Sequence, residues 1–127
     1  MFVHILIVDD EPDITSSLKV GLERHGFRVD VYNDPKRALA DFQSGVYDMV
    51  FLDIRMPRMN GFELYRELRK VDGKVAIAFL TAFDVYQSEF RKLFPDMKVD
   101  RFLRKPIGIS ELVTYVKSQP GTAPQKN

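Results

Sequence analysis

The chain has 127 residues, enough for one domain and too few for two. Apolar residues make up 45% and charged residues 29%, so a core can form and a disordered chain is excluded; with no Cys, disulfide scaffolds, thiolate zinc sites and cysteine nucleophiles are excluded too. The net charge of +1 hides a division, because residues 1–53 sum to −5 and residues 54–127 to +6, which fits either a cation site early and an anion site or partner face late, or two solvated faces. Phe2 to Val8 is nearly continuous apolar and β-branched, the pattern of a strand buried on both faces. Pro12 suits a first helical turn; Ile14, Leu18 and Leu22 recur every four residues, and Gly26 closes that helix. Arg28 to Tyr32 is a second strand, and Asp34-Pro35 caps and opens a helix expected to run to Ser44 and stop at Gly45.

Met49 to Leu52 is a third strand ending on Asp53, followed by a loop from Ile54 to Asn60. A helix is predicted from Gly61 to Val71 with Phe62, Tyr65 and Leu68 on one stripe. Val75 to Leu80 reads as strand four, 84–94 as a fourth helix, Val99 to Leu103 as strand five, and a last helix carries Leu112, Val113 and Val116. The domain is expected to span 1–118, with 119–127 a flexible tail or linker. Five strand–helix units with buried strands imply an α/β fold: a doubly wound parallel sheet with helices on both faces. No apolar run approaches the ~20 residues of a membrane span, and no signal peptide is visible, so a cytoplasmic location away from membranes is expected.

In an open parallel sheet, ligands bind at the carboxyl ends of the strands. Strand one ends in Asp9-Asp10-Glu11, strand three in Asp53, strand four in Thr81, and strand five in Arg104-Lys105-Pro106. If strands one and three are neighbours, three aspartates converge. Such a cluster shares a proton or holds a divalent cation, and all-oxygen ligation suits Mg²⁺, with Mn²⁺ as the alternative. Lys105 adds a positive charge and Thr81 a hydroxyl, so the set fits phosphoryl transfer with an aspartate as acceptor. Singly, each residue has a plainer reading: Asp9 and Asp10 as helix-capping acids, Asp53 as a loop cap, Thr81 as a turn residue, Lys105 as a solvated lysine, Phe102 as core. His4 and His25 read as structural.

The set Val8-Asp9-Asp10-Glu11, Leu52-Asp53-Ile54-Arg55-Met56-Pro57, Gly61, Thr81-Ala82 and Lys105-Pro106 resembles the receiver domain of two-component response regulators, over about residues 3–118. The resemblance implies a five-stranded, flavodoxin-like sheet of order 2-1-3-4-5. It implies that Asp53 accepts a phosphoryl group from a phosphohistidine on a sensor histidine kinase or phosphotransfer protein, with Lys105 and Thr81 in the catalytic set. It implies Mg²⁺ held by Asp10, Asp53 and the backbone carbonyl of Arg55, with Asp9 acting through water. Thr81 and Phe102 would be switch residues, and the peptide before Pro106 would be cis. Output would pass to a downstream protein target through the face of the predicted fourth helix, strand five and the last helix, with a phosphorylation-linked homodimer as one form of it. Arg91, Lys92, Lys98, Arg101 and Arg104 fall in or near that face, against Asp96 and Asp100, and this basic patch reads either as a solvated face or as a partner surface. The chain would be an enzyme only toward itself.

Two departures stand out. The stretch between Thr81 and Lys105 is slightly long, with Phe94-Pro95-Asp96-Met97-Lys98 where the family usually has a small turn. Arg55 and Phe83 each lie two residues beyond Asp53 and Thr81 and can crowd the path of a hydrolytic water, so slow loss of the phosphoryl group is expected. A non-phosphorylated interaction module on the same fold is the main alternative. A haloacid-dehalogenase-type phosphatase would need a second Asp at position 55, a P-loop motif is absent, and no helix-turn-helix segment supports direct nucleic-acid binding.

Overall fold

A computed structural model describes residues 2–82, 88, 91–92, 95 and 102–119. Among them, strands β1 (His4–Val8), β2 (Arg28–Tyr32), β3 (Met49–Asp53), β4 (Ala76–Thr81) and β5 (Phe102–Arg104) and helices α1 (Pro12–Glu23), α2 (Pro35–Asp41), α3 (Gly61–Val71) and α4 (Ile109–Ser118) follow in the order β1-α1-β2-α2-β3-α3-β4-β5-α4. The strands form one parallel sheet of order β2-β1-β3-β4-β5, as the resemblance implied. Chain order reverses between β1 and β3, and the strand ends there are the expected place for a ligand.

Side chains alternate between the two faces of the sheet with the strand period of two. Leu6, Val8, Val50, Leu52, Ile77 and Phe79 pack with α2 and α3 residues such as Ala38, Phe62 and Leu68. Ile5, Ile7, Met49, Phe51, Ala78 and Leu80 pack with Leu18 and Leu22 of α1 and Leu112 and Val116 of α4. Both faces are thus covered, which is why β1, β3 and β4 read as unbroken apolar runs instead of alternating ones.

The helix starts follow local rules. Asp34 accepts from the Lys36 amide with Pro35 in the first turn, and Asn60 and Glu63 form a reciprocal capping box at α3. Helix α1 begins after Glu11 without a side-chain cap of its own, so Asp9 and Asp10 do not serve as its caps. Helix α2 ends at Asp41, three residues before the expected Ser44. Phe42 turns extended there (ψ 132°), buries its ring and stacks it near Tyr47, with centroids 5.9 Å apart. Burial of one aromatic ring outweighs another turn of helix at that point. Gly45 then takes a positive φ of 82° in the turn to β3. Strand β4 is shifted by one residue, ending on Thr81 itself.

Ser88, Arg91 and Lys92 are helical; the rest of the predicted fourth helix, residues 99–101 of strand five, Phe83, Lys98 and the tail beyond Gln119 lie outside the described residues. His4 and His25 are tied locally, to Asp30 (2.9 Å) and to the Gly21 carbonyl (3.0 Å). No helix among the described residues is long and apolar enough to cross a membrane.

Candidate functional site

The sheet's hydrogen-bond register sets the site. Asp9 continues β1 by donating its amide to the Tyr32 carbonyl (3.1 Å), and Lys105 continues β5 by donating its amide to the Thr81 carbonyl (2.8 Å). Asp53 is the last residue of β3 and lies opposite Leu80. Four strand ends therefore deliver their polar groups to one rim. An open cavity of about 220 Å³ there is lined by Asp10, Asp53, Arg55, Thr81 and Lys105, among others.

Asp9, Asp10 and Asp53 each offer a carboxylate oxygen within 4.8 Å of the others. Asp9 is fully buried and Asp53 is 8% exposed. The Lys105 ammonium lies 2.6 Å from Asp9 Oδ2, 3.5 Å from Asp53 Oδ1 and 4.0 Å from Glu11 Oε1. The Lys105 ammonium thus faces three carboxylates, and negative charge is in excess around it. Burial raises the Asp53 pKa to about 6, with repulsion from Asp9 and Asp10 adding to it and Lys105 opposing it. Desolvation works against the Lys105 charge, but its carboxylate partners outweigh that and raise its pKa. A hard divalent cation is the natural complement: the donor set is all oxygen, negative and open to water on one side.

Backbone details hold Asp53 in place. The Gly61 amide donates to the Ile54 carbonyl (2.8 Å), and a Cβ at residue 61 would overlap the Asp53 carbonyl oxygen and come within 2.9 Å of Ile54 Cα. Only glycine lets α3 start this close to the Asp53 peptide. The Lys105-Pro106 peptide is cis, as expected.

All the predicted site residues except Phe102 meet at this rim, Asp9 through its carboxylate contact with Lys105. Phe102 is half-buried and stacks on Phe79, with centroids 5.3 Å apart, so it belongs to the α2–α3 side of the core, beside the rim. Two polar groups escaped the sequence reading. Asn33 Nδ2 donates to the Asp9 carbonyl (2.8 Å) and to Thr15 Oγ1 (2.9 Å), and Thr15, itself buried, donates to the Pro12 carbonyl (3.1 Å). The signal was there: Asn33 is the first polar residue after β2, the one strand end the chemistry had not asked about.

A doubly wound parallel sheet with three aspartates, a lysine and a threonine at its switch-point rim defines a class of α/β domain with an acidic candidate site at its strand ends. Residues 5–117 match the family described as the response regulator receiver domain, and the chain belongs to that family. It is 35% identical over 118 residues to the response regulator MprA of Mycolicibacterium vanbaalenii, covering 93% of this chain and 50% of that protein. It is 31% identical over 123 residues to the response regulator ArlR of Staphylococcus saprophyticus, covering 97% and 54%. The crystal structure of the response regulator TrrA from Thermotoga maritima in complex with Mg²⁺-BeF superposes with a TM-score of 0.77 at 37% identity, covering 91% of this chain and 97% of that one. The chain spans about half the length of the curated relatives it matches.

Proposed function

We propose that Asp53 is the phosphoacceptor of a phosphorylation-dependent signalling switch. The observation that carries the reading is the Asp53 carboxylate, set among two further aspartates and 3.5 Å from the Lys105 ammonium at the rim of the sheet. Asp10, Asp53 and the Arg55 carbonyl would hold Mg²⁺, or Mn²⁺ in its place, with Asp9 acting through water; when bound, the ion neutralises charge that builds on the transferred group. An Asp53 oxygen attacks phosphorus, an O–P bond forms, and the P–N bond to the donor histidine breaks, its electron pair leaving on nitrogen. Lys105 pairs with a phosphoryl oxygen and Thr81 donates its hydroxyl to another. The new group brings about −1.5 to −2 charge, enough to bias a two-state element next to β4 and β5, including Phe102.

The donor is a sensor histidine kinase or phosphotransfer protein, and the recipient of the signal is a downstream protein, all in the cytoplasm. A phosphorylation-linked homodimer is one form the output can take. The domain itself is proposed to bind no nucleic acid; relatives named transcriptional regulatory proteins are about twice as long. The test is intact mass after incubation with Mg²⁺ and acetyl phosphate. One phosphoryl adduct is expected, absent without Mg²⁺ and absent in Asp53→Asn. An adduct that persists in Asp53→Asn would place the acceptor elsewhere, and failure of the wild type to take up Mg²⁺ and beryllofluoride would favour a bare interaction module.

Arg55 lines the cavity mouth and is exposed. Together with Phe83 it is proposed to hinder the hydrolytic water. Arg55→Ala and Phe83→Ala are each expected to speed decay of the phosphorylated protein by about threefold, on the order of 0.6 kcal/mol of barrier. Unchanged decay in both variants would end the idea.

A further inference from the structure

Asp9 and Asp10 of the β1–α1 loop share a peptide that the sheet alone does not fix. Asp9 is tied to β2 through its amide, but its carbonyl points past the end of the ladder. That carbonyl belongs to the peptide joining Asp9 to Asp10, so anchoring it limits how the segment carrying both carboxylates can move. Asn33 supplies the missing constraint. One N–H of its side-chain amide meets the Asp9 carbonyl at 2.8 Å, and the same nitrogen meets Thr15 Oγ1 at 2.9 Å, which uses both of its donors. The assignment of that atom as nitrogen follows from the partner, because a backbone carbonyl only accepts. Thr15 passes its own hydroxyl hydrogen to the Pro12 carbonyl (3.1 Å), so the network ends in the first turn of α1. Within the loop, the Glu11 amide donates to Asp9 Oδ1 (3.0 Å), coupling the carboxylate of Asp9 to the same short segment.

We propose that Asn33, backed by Thr15, is a positioning residue for the cation site: it locks the Asp9–Asp10 peptide so that both carboxylates face Asp53 before any ion arrives. The inference rests on the proposed cation site but concerns its preorganisation. Like-charged carboxylates within 4.8 Å of one another repel, and a loop free to rotate would relieve that strain by turning Asp10 to solvent. Outer groups that orient ligands change metal affinity by about 10- to 100-fold when removed. An exposed Mg²⁺ site that keeps water falls at the lower end of that range.

The experiment titrates metal-free protein with Mg²⁺ alone, following amide shifts by NMR, and measures hydrogen exchange of the Glu11 amide in EDTA. Asn33→Ala is expected to weaken Mg²⁺ binding about tenfold and to speed Glu11 exchange about tenfold at unchanged global stability. Asn33→Asp is the sharper variant. It keeps the shape and adds a negative charge, so Coulomb attraction by itself would tighten Mg²⁺ binding. It also removes the donors facing the Asp9 carbonyl, so the positioning role demands weaker binding. Thr15→Val should follow Asn33→Ala, while Thr15→Ser, which keeps the hydroxyl, should stay within about twofold of wild type. Wild-type Mg²⁺ affinity in Asn33→Ala with unchanged Glu11 exchange would overturn the proposal, as would tighter binding in Asn33→Asp. Should Asn33→Ala fold poorly, the Thr15→Val and Thr15→Ser pair decides the same question. If the wild type itself takes up no Mg²⁺, the cation-site reading is what fails, and the exchange measurement in EDTA still decides the role of Asn33.

Discussion

Lys105→Met is expected to lower the stability of the metal-free protein by about 3 kcal/mol and to cut phosphoryl accumulation at least tenfold. The stability effect follows from burial. Asp9 is fully buried, and its Oδ2 has the Lys105 ammonium at 2.6 Å, itself only 14% exposed. Methionine preserves most of the side-chain volume, so the loss is mainly of charge. It leaves a buried carboxylate without its counter-ion, beside two others that already repel it, and removing one partner of a buried pair costs far more than the pair contributes when intact. The Glu11 amide still donates to Asp9 Oδ1 and limits the damage. A divalent cation should replace part of the missing positive charge, so the deficit should narrow as Mg²⁺ is added. Urea unfolding of both proteins in EDTA and in Mg²⁺ checks this. Equal stability in EDTA would mean that Lys105 contributes nothing net to the folded state. A deficit that Mg²⁺ does not reduce would mean that the ion and the lysine do not share the same carboxylates.

The fold was legible because both faces of the sheet are covered. Ile5 to Val8 and Met49 to Leu52 could be continuous apolar runs only in such a setting, and strands separated by helical patterns leave few topologies. What the pattern did not show was the early end of α2. Alanine, leucine and alanine at 38–40 favour continued helix, and nothing local to Phe42 says that its ring will bury beside Tyr47. That is a tertiary contact overriding local propensity. The one-residue shift of β4 has a similar cause, since the pairing of Thr81 with Arg104 extends the ladder beyond the last apolar residue.

The site was legible for a different reason. Asp9, Asp53 and Thr81 each stand directly after an apolar run, and Asp10 and Lys105 one residue further on, so asking what closes each strand picks them out as candidates. Asn33 was missed because its role is carried by geometry across 24 residues, to a backbone carbonyl that no sequence pattern marks. Gly61 entered through family resemblance alone; the close approach of the Asp53 carbonyl supplies its physical reason.

Asp53→Asn is expected to stabilise the metal-free protein at pH 7.5 by about 1–2 kcal/mol and to leave it unchanged near pH 4. In the folded protein, burial first and the neighbouring Asp9 and Asp10 second raise the Asp53 pKa from 3.8 to about 6. The folded state therefore binds more protons than the unfolded state between those values. Stability must fall as pH rises through that window, and above it the full cost of holding a charged Asp53 in the pocket is present. Asparagine carries no charge at any of these pH values, so its advantage should appear only as pH climbs from about 4 to 6 and then level off. Water in the open cavity screens the charge and keeps the gain below what a sealed site would give. Mg²⁺ should reverse the order, because the charged aspartate binds the ion and the amide does not bind it as well. The proposed phosphoacceptor is in this sense held in an unfavourable state that a bound cation would relieve. Thermal unfolding of both proteins in EDTA across pH 4 to 8, repeated in Mg²⁺, checks the argument. A stability gain that does not vary with pH would trace to packing at residue 53, and no gain at pH 7.5 would show that the pocket does not penalise the charge.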